Sequence, residues 1–227
     1  MSNSHIFHEF DTAIRGLKEN VLSMAAATRQ NLERAMRSLL ERDIDLARMV
    51  IGDDTEVDEY EVRIDRLGME ILLRFHPVAT DLRFVITSMK MSNNLERISD
   101  HAVNIAKRAK KICKSAESVE LSIVEPIYNR AEALVRDAVI SYTDSNCELA
   151  RSLKNNDKEL DREHKEIVAL LSRRLETSGG NAENLLHLIL VARSLERIGD
   201  LAVNIGEDAV FLGEAKDIRH ESRLKDV

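Results

Sequence analysis

The sequence contains few of the residues that interrupt helices. Its 227 residues include only two prolines and eight glycines, and tryptophan is absent. Because proline and glycine break helices, this scarcity predicts a chain that is almost entirely α-helical. The two cysteines, Cys113 and Cys147, stand alone without a C-x-x-C spacing. We therefore expect both of them to be inert packing residues.

Long apolar runs and an excess of positive charge are missing as well. No apolar run approaches the ~18–20 residues that a membrane-spanning helix needs, and the opening MSNSHIFHEF does not have the pattern of a signal peptide. The formal net charge of −7 at pH 7 argues against nucleic acid as a partner, because phosphate backbones bind clustered Lys and Arg. We therefore expect a soluble cytoplasmic protein, whose 44% hydrophobic content is enough to bury a core.

Apolar residues recur instead at steps of three and four, which is the period of an amphipathic helix. The pattern predicts six helices, over about 8–40, 43–74, 77–113, 121–142, 146–176 and 182–213. Asp43 is the candidate N-cap of the second helix, and Pro77 fits the first turn of the third. Ser178-Gly179-Gly180 separates the last two helices. Long helices joined by short turns are typical of antiparallel bundles.

The six predicted helices form two copies of one three-helix unit. LERISDHAVNI at 95–105 returns as LERIGDLAVNI at 195–205, and DLARMVIGDDTEVD at 45–58 matches ELARSLKNNDKELD at 148–161. The second copy is shorter only at the turn between its second and third helices, where a packed bundle tolerates a deletion. The prediction is an all-α fold of two tandem three-helix bundles. The ranges are 1–7 for an N-terminal tail, 8–113 for the first repeat, 114–120 for a linker, 121–213 for the second repeat and 214–227 for a polar tail.

Acidic residues spaced four apart share one face of a helix in each unit. Asp54 and Asp58 lie on the second helix, and Glu96 and Asp100 lie on the third. Asp58 and Glu96 are equally far from Pro77 along the chain, and so are Asp54 and Asp100. An antiparallel hairpin therefore places all four carboxylates at one level. The second repeat has the equivalent set about the Ser178-Gly179 turn: Asp157, Asp161, Glu196 and Asp200.

Four carboxylates at one level repel one another unless positive charge lies among them. One interpretation is ordinary surface salt bridges, which contribute little to stability. The arginines in position to form them are Arg63, Arg97, Arg162 and Arg197. The other interpretation, which we favour, is a multinuclear site for cations bound through oxygen, with iron, Mn²⁺, Mg²⁺ and Ca²⁺ as candidates. Zn²⁺ is kept as a further candidate, although it usually takes His or Cys ligands.

Four more polar side chains are candidate ligands at the ends of these rows: Asn104, Asn204, Glu61 and His164. The two asparagines continue the acidic rows by one turn, and Glu61 and His164 occupy equivalent positions in the two repeats. Simple solvent exposure is the alternative for each of them. His101 has no partner that the sequence indicates. We expect the carboxylates to point outward from the bundles, where no pocket excludes water.

The doubled LERI-x-D-x-A-x-NI motif, the paired acidic residues and HPVATDLR at the start of the third helix resemble the PhoU family, over about residues 8–213. The resemblance implies two related three-helix bundles packed side by side, commonly in homodimers, with multinuclear metal clusters on their acidic surfaces. It also implies a negative regulator of phosphate uptake and phosphate signalling, which is not an enzyme. Its partners would be a phosphate ABC transporter and a membrane sensor kinase, at the inner face of the membrane. Asp81 and Arg83 have no equivalents in the second copy, so the two repeats need not work identically.

Two other function classes remain open at this point. The first is an oxygen-ligand metalloenzyme on a helical bundle, and the second is a purely structural helical scaffold. Di-iron enzymes of the ferritin-like type carry paired E-x-x-H motifs inside a four-helix core, and this sequence has no such pair. It also has no visible nucleophile–base arrangement and no glycine-rich phosphate loop. We therefore expect no catalytic activity.

Overall fold

The computed structural model describes residues 2–52, 54–115, 117, 119–177 and 181–219. The described part is helical and contains no β-strand, so the predicted all-α fold is confirmed. One short 3₁₀ turn, Ser122–Val124, precedes the fifth helix. The helices are α1 (Ser2–Leu40), α2 (Ile44–Gly52), α3 (Asp54–Phe75), α4 (Ala79–Lys114), α5 (Glu125–Thr143), α6 (Cys147–Thr177) and α7 (Ala182–Glu214).

The helix boundaries follow the sequence pattern with three exceptions, one of which is α5, predicted from residue 121 and observed from Glu125. Helix α1 begins at Ser2, ahead of the predicted start at residue 8. Helix α4 begins at Ala79, so the prediction that Pro77 lies in its first turn is wrong. The physical reason is the conformation of Val78, which is extended (φ −126°, ψ 163°) and therefore keeps the proline outside the helix. The second predicted helix is described as α2 and α3, on either side of residue 53, which lies outside the described residues.

The second predicted helix starts where its cap was expected. Asp43 Oδ1 accepts hydrogen bonds from the backbone N–H groups of Asp45 and Leu46, both at 2.9 Å. These are two of the orphan donors at the start of α2, and capping them stabilises a helix by about 1 kcal/mol. The prediction that Asp43 is an N-cap is therefore confirmed. Cys113 and Cys147 are free thiols, each half-buried.

Helices α1, α3 and α4 form the first bundle, and α2 packs beside α1 and α4. Its core is built from fully buried apolar side chains, among them Leu17, Met24, Leu32, Ile64, Ile71, Leu95 and Ile98. The antiparallel register of α3 against α4 can be read from one contact. Asn93 Nδ2 donates to Glu61 Oε1 at 3.4 Å, and these two residues are equally far from Pro77. The hairpin register predicted from the turn is therefore present.

Helices α5, α6 and α7 form the second bundle, and α6 lies very close to α7. Two glycines of α7 permit this approach. A Cβ atom on Gly206 would lie 2.5 Å from Leu153 Cδ1 and 3.2 Å from the Ala150 carbonyl oxygen. A Cβ atom on Gly199 would lie 2.9 Å from Asp157 Oδ1 and 3.2 Å from Leu160 Cδ1. The Ser178-Gly179-Gly180 turn of this hairpin lies outside the described residues.

The two bundles pack side by side through α4 and α7, which are the central helices of the molecule. Lys90 of α4 reaches across to the buried Asp208 of α7, with Nζ 3.0 Å from Oδ1. Arg83 donates from Nε to the Leu212 carbonyl oxygen at 3.2 Å, where the last turn of α7 leaves carbonyl groups without helical partners. Arg83, which has no equivalent in the second repeat, thus contacts the second bundle. No helix in the described ranges is both long and apolar enough to cross a membrane.

Candidate metal centre

The second repeat brings its four predicted carboxylates together on neighbouring turns of α6 and α7. The buried Leu153 and Leu160 anchor α6, and the buried Leu195 and Ile198 anchor α7. Four half-buried acidic residues flank these apolar rows: Asp157, Asp161, Glu196 and Asp200. The apolar contacts thus fix the two helix faces that carry the acidic groups.

Asp157 is the most perturbed member of this set, which we call the second acidic cluster. Burial and, after it, the negative charges of Asp161, Asp200 and Glu196 together raise its pKa to about 7. Its Oδ1 atom is buried and has no hydrogen-bond partner. This oxygen packs against Gly199, which has no side chain to collide with it. An unpaired buried carboxylate oxygen is costly and calls for a proton or a cation.

Glu196 and Asp200 share one positive partner. Arg197 Nη1 lies 2.9 Å from Asp200 Oδ2, and Arg197 Nε lies 3.2 Å from Glu196 Oε2. Burial and the charge of Asp200 nevertheless raise the pKa of Glu196, while Arg197 and His164 lower it. The salt-bridge interpretation therefore holds for Arg197, but this arginine leaves Asp157 Oδ1 without a partner.

The other three arginines do not neutralise the acidic rows. Arg162 pairs with Glu159 on the same helix. Arg63 lies over the Tyr60 ring, with its guanidinium carbon 5.3 Å from the ring centroid. Among the described residues, Arg97 forms no ion pair with a carboxylate.

The carboxylates of the second acidic cluster do not all point into solvent. The Glu196 side chain is only 16% exposed, whereas that of Asp200 is 43% exposed. The expectation that every carboxylate faces outward is therefore wrong for Glu196 and Asp157. For Asp157 the reason is the close approach of α6 and α7 at Gly199, where its Oδ1 atom is buried.

The first repeat carries the equivalent set on α3 and α4. Asp58 and Asp100 are exposed and Glu96 is half-buried, whereas the side chain of Asp54 lies outside what the structure describes. Asp58 shares a shallow surface cavity of about 380 Å³ with Arg63. The grouping of these four carboxylates stays a prediction, although the α3–α4 register agrees with it.

The four additional candidates lie in different surroundings. Asn104 and Asn204 are both exposed. Glu61 accepts the hydrogen bond from Asn93 and, with Asn204, lines a groove of about 790 Å³ between the repeats. His164 is half-buried and close enough to Glu196 to lower the pKa of that carboxyl group. His164 is thus the candidate that lies nearest to the second acidic cluster.

The two copies of the repeated motif face each other where α4 packs on α7. A cavity of about 350 Å³ lies between them, and Arg97 and His101 line it from the first copy. From the second copy Arg197, Asp200 and Leu201 line it, together with Asp157 of α6. The sequence did not predict His101 as a residue of this region. The available signal was that position 101 is one of only two positions at which the copies differ.

The second acidic cluster has the ligand chemistry, but not the arrangement, of a site for a cation that prefers oxygen. All four principal donors are carboxylates, and two of them, Asp157 and Glu196, have a buried oxygen without a hydrogen-bond partner. Within the described ranges, no three His, Cys, Asp or Glu side chains stand in a metal-holding arrangement. Arg197 supplies positive charge between Glu196 and Asp200 instead.

The comparison with known proteins agrees with the doubled architecture. The family model described as the PhoU domain matches the chain twice, over residues 21–109 and 124–209. The chain belongs to the PhoU family. Each match of this PhoU-family chain falls on one of its two repeats, so the family unit is the single three-helix bundle.

Curated relatives extend the match over nearly the whole PhoU-family chain. It is 34% identical over 217 residues to the "Phosphate-specific transport system accessory protein PhoU homolog" of Pseudomonas putida, covering 95% of this chain and 85% of the relative. The protein of the same name in Pseudomonas aeruginosa is 32% identical, with 95% and 90% coverage. The chain therefore spans most of the length of these relatives.

Solved structures of PhoU proteins have the same fold. The crystal structure of PhoU from Pseudomonas aeruginosa superposes with a TM-score of 0.88 at 31% identity, covering 91% of this chain and all of that one. The phosphate transport system regulatory protein PhoU from Streptococcus pneumoniae gives a TM-score of 0.84 at 22% identity, covering 92% of this chain and 99% of that one. At this lower identity the likeness concerns the fold alone.

Proposed function

We propose that this PhoU-family protein is a metal-binding accessory regulator of a phosphate-specific transport system. The family membership and the names of its curated relatives support the link to phosphate transport. In this proposal the chain restrains a phosphate ABC transporter and relays phosphate sufficiency to a membrane sensor kinase. It acts in the cytoplasm, at the inner face of the membrane, as a homodimer.

The observation that carries the metal-binding part of the proposal is the buried, unpaired Oδ1 atom of Asp157 within the second acidic cluster. A bound cation would neutralise the charges that raise the pKa of this carboxyl group. Asp157, Asp161, Glu196 and Asp200 would hold it through oxygen, which suits iron, Mn²⁺, Mg²⁺ or Ca²⁺ better than zinc. The first repeat would hold metal through Asp54, Asp58, Glu96 and Asp100 in the same way.

The cation would supply positive charge that binds α6 to α7 and changes the charge of the surface beside them. A regulator that meets membrane proteins through such a surface does not need a catalytic centre. The metal would then act on the partners through charge and through the geometry of the α6–α7 hairpin.

Elemental analysis of the chain purified without chelators tests the metal-binding part. We expect bound metal that falls by about half in the Asp157→Asn/Asp200→Asn variant, because one of two clusters loses its ligands. The matched control is Asp11→Asn, an exposed carboxylate of α1, which is expected to leave the metal content unchanged. A metal-free wild-type chain would favour the structural-scaffold alternative.

Phosphate uptake and kinase output in the organism that encodes the chain test the regulatory part. We expect loss of the chain to raise both at high external phosphate, and the Asp157→Asn/Asp200→Asn variant to reproduce that increase at a normal protein level. Affinity purification from native membranes is expected to recover transporter subunits and the sensor kinase. Unchanged uptake and signalling would contradict the proposal. Multiple turnover of phosphate esters by the metal-loaded chain would favour the metalloenzyme alternative.

Analytical ultracentrifugation tests the oligomeric state. We expect the purified chain to sediment with the mass of a homodimer, twice the 25.7 kDa of one chain. Sedimentation as a monomer at micromolar concentration would contradict this part of the proposal and leave the metal-binding part in place.

A further inference from the structure

Helix α3 carries a row of apolar side chains on the face that points away from its own bundle. Val62, Met69 and Leu73 are 68%, 51% and 69% exposed. At about 100° per residue, these three side chains lie within about 40° of one another around the helix axis. The buried side chains of α3 lie on the opposite side of the helix: Val57, Ile64 and Ile71. We call Val62, Met69 and Leu73 the outer apolar row, and it takes no part in the core.

The equivalent positions of the second repeat are polar. The alignment that pairs Asp58 with Asp161 matches the outer apolar row with three exposed residues of α6: Lys165, Ser172 and Glu176. Helix α6 also buries its opposite face, through Leu160 and Ile167, so a helix of this kind packs without apolar residues on its outer face. Single exposed apolar residues are common, but a row of them marks a contact with another surface. The outer apolar row therefore indicates a contact that α3 makes and α6 does not.

Charged side chains of both signs border the outer apolar row. Arg63 and Glu70 lie along one edge, Asp58 and Asp65 lie along the other, and all four are exposed. A helix that rests on anionic lipid carries Lys and Arg beside its apolar face instead. Here three of the four border residues are acidic, and the chain as a whole has a net charge of −7. The borders therefore suit a protein surface of mixed charge and disfavour a lipid surface.

We propose that the outer apolar row packs against the same row of a second copy of this chain, with the two α3 helices antiparallel. The inference rests on the homodimer of the proposed function and names its contact surface. The two-fold axis passes between Arg66 and Leu67. Val62 then lies at a level between the partner's Met69 and the partner's Leu73. Side chains spaced four and seven residues apart interlock in this way where two helices pack along their length.

The same axis pairs the charges on one border. Arg63 and the partner's Glu70 are equally far from the axis and lie on facing edges, so a two-fold contact contains this pair twice. Arg63 lies over the Tyr60 ring and, among the described residues, has no carboxylate partner of its own. Glu70 holds Arg74 through Oε1 at 2.8 Å, and its Oε2 atom is available to the second copy. The contact is therefore complementary in charge as well as apolar.

Arg66 lies beside the axis, where its two copies come close together. Its long side chain keeps the guanidinium in water while the methylene groups cover the outer apolar row. Arg66→Leu is expected to tighten the dimer by about tenfold, because it removes two like charges from the axis and extends the row. Ala169→Leu, at the equivalent exposed position of α6, is the matched control and is expected to leave the dimer unchanged.

Sedimentation equilibrium of the full chain measures the dissociation constant of the dimer, and far-UV circular dichroism checks the helix content of each variant. We expect Met69→Glu to raise the dissociation constant by about 100-fold or more, because the two-fold axis places a charge in the apolar contact twice. Ser172→Glu puts the same charge at the equivalent exposed position of α6. This control is expected to keep the dissociation constant of the wild type.

Disulfide cross-linking tests the position of the axis. Arg66→Cys is expected to form a covalent dimer on oxidation, because each copy of position 66 lies beside the other. Ala169→Cys is the matched control on α6 and is expected to form none. The wild type, with half-buried Cys113 and Cys147, is the blank.

The outcomes separate this inference from the proposed function. A dimeric wild type with an equally dimeric Met69→Glu variant would overturn the α3 contact and leave the homodimer in place. A dimer that Met69→Glu dissociates but that does not cross-link through position 66 would overturn the antiparallel register. A monomeric wild type would contradict both the homodimer and the α3 contact. Binding of that monomer, but not of Met69→Glu, to vesicles of phosphatidylglycerol and phosphatidylethanolamine would assign the row to a membrane surface instead.

Discussion

Asp157 illustrates what a single buried carboxylate does to a helical bundle. It lies at the close approach of α6 and α7, with Oδ1 against Gly199 and without a hydrogen-bond partner. Three neighbouring carboxylates add repulsion to the loss of solvation. In the metal-free chain the ionised form of this residue therefore lowers the stability of the folded state, by an amount that depends on pH.

The pH dependence of the metal-free chain follows from the direction of this shift. Since the pKa of Asp157 is raised to about 7, an unfolded carboxyl group releases its proton near pH ~4 while the folded one keeps it. Stability contributed by the protonated group is therefore present at low pH and is lost as pH rises from about 4 to 7. We expect Asp157→Asn in EDTA to have a higher Tm than wild type at pH 8, with a difference that shrinks toward pH 4. A constant difference across this range would contradict the assignment, and Asp11→Asn serves as the control.

The sign of the same substitution is expected to reverse in the presence of metal. A ligand that binds only the folded state raises the free energy of unfolding with its concentration. Wild type is therefore expected to gain Tm when Mn²⁺ or Fe²⁺ is added, and Asp157→Asn is expected to gain much less. Differential scanning fluorimetry on the two proteins, with and without metal, measures this crossover. An equal gain in both proteins would place the cation elsewhere.

At the scale of the helix, the α6–α7 hairpin depends on glycines in the middle of α7. Glycine in a helix normally costs about 1 kcal/mol relative to alanine, yet Gly206 touches Leu153 and the backbone of Ala150 so closely that a Cβ atom has no room. We expect Gly206→Ala to lower the free energy of unfolding by about 1–3 kcal/mol, since a tightly packed contact must open.

Gly16 offers a matched control for this substitution. It lies in α1, and a Cβ atom added there meets no other heavy atom within 4 Å. Gly16→Ala is therefore expected to leave stability unchanged or to raise it by up to about 1 kcal/mol. Urea denaturation of both variants decides the point. Equal stability of Gly206→Ala and Gly16→Ala would contradict the close packing of α6 against α7 at Gly206.

The sequence contains enough information for the helices and for the register within each hairpin. A turn centred near Pro77 predicts that residues equally far from it along the chain lie side by side on α3 and α4. Asn93 and Glu61 are such a pair, and they form a hydrogen bond. The burial of Asp157 was not predictable in the same way, because periodicity identifies the face of a helix but not the distance to its neighbour. Gly199, which replaces Ser99 of the first copy, was the local hint of that distance.

At the scale of the whole molecule, the two repeats are joined by an ion pair with a buried carboxylate as well as by apolar contacts. Lys90 Nζ lies 3.0 Å from Asp208 Oδ1, and the Asp208 side chain is only 9% exposed. Burial raises the pKa of Asp208, whereas the hydrogen bond from Lys90 lowers it. Removing the lysine would leave a buried carboxylate without its partner.

A double-mutant cycle tests this connection. We expect Lys90→Met to lower the free energy of unfolding by about 1–3 kcal/mol, because Asp208 is left desolvated and unpaired. Lys90→Met with Asp208→Leu is expected to recover much of that loss, because no buried charge remains. Urea unfolding of the four proteins of the cycle measures both effects. Additive losses in the double variant would contradict a direct pair.

The arrangement of the two repeats was beyond what the sequence could predict. Duplication indicated two similar bundles, but each bundle has several outer faces, and the pattern of apolar residues does not say which of them meet. The cavity between α4 and α7, which His101 lines, follows only from the packing of α4 on α7. The same holds for Arg83, whose contact with α7 depends on the neighbouring bundle.

The α4–α7 contact also has a consequence for symmetry. Because each side presents a copy of the same segment, it has the form of a two-fold dimer contact enclosed within one chain. In a true dimer, a residue near the axis is always present twice and the two copies change together. Fusion removes that constraint, and position 101 has histidine where position 201 has leucine. The chain thus carries a polar and an apolar wall on opposite sides of its own pseudo-axis, which two identical subunits cannot do.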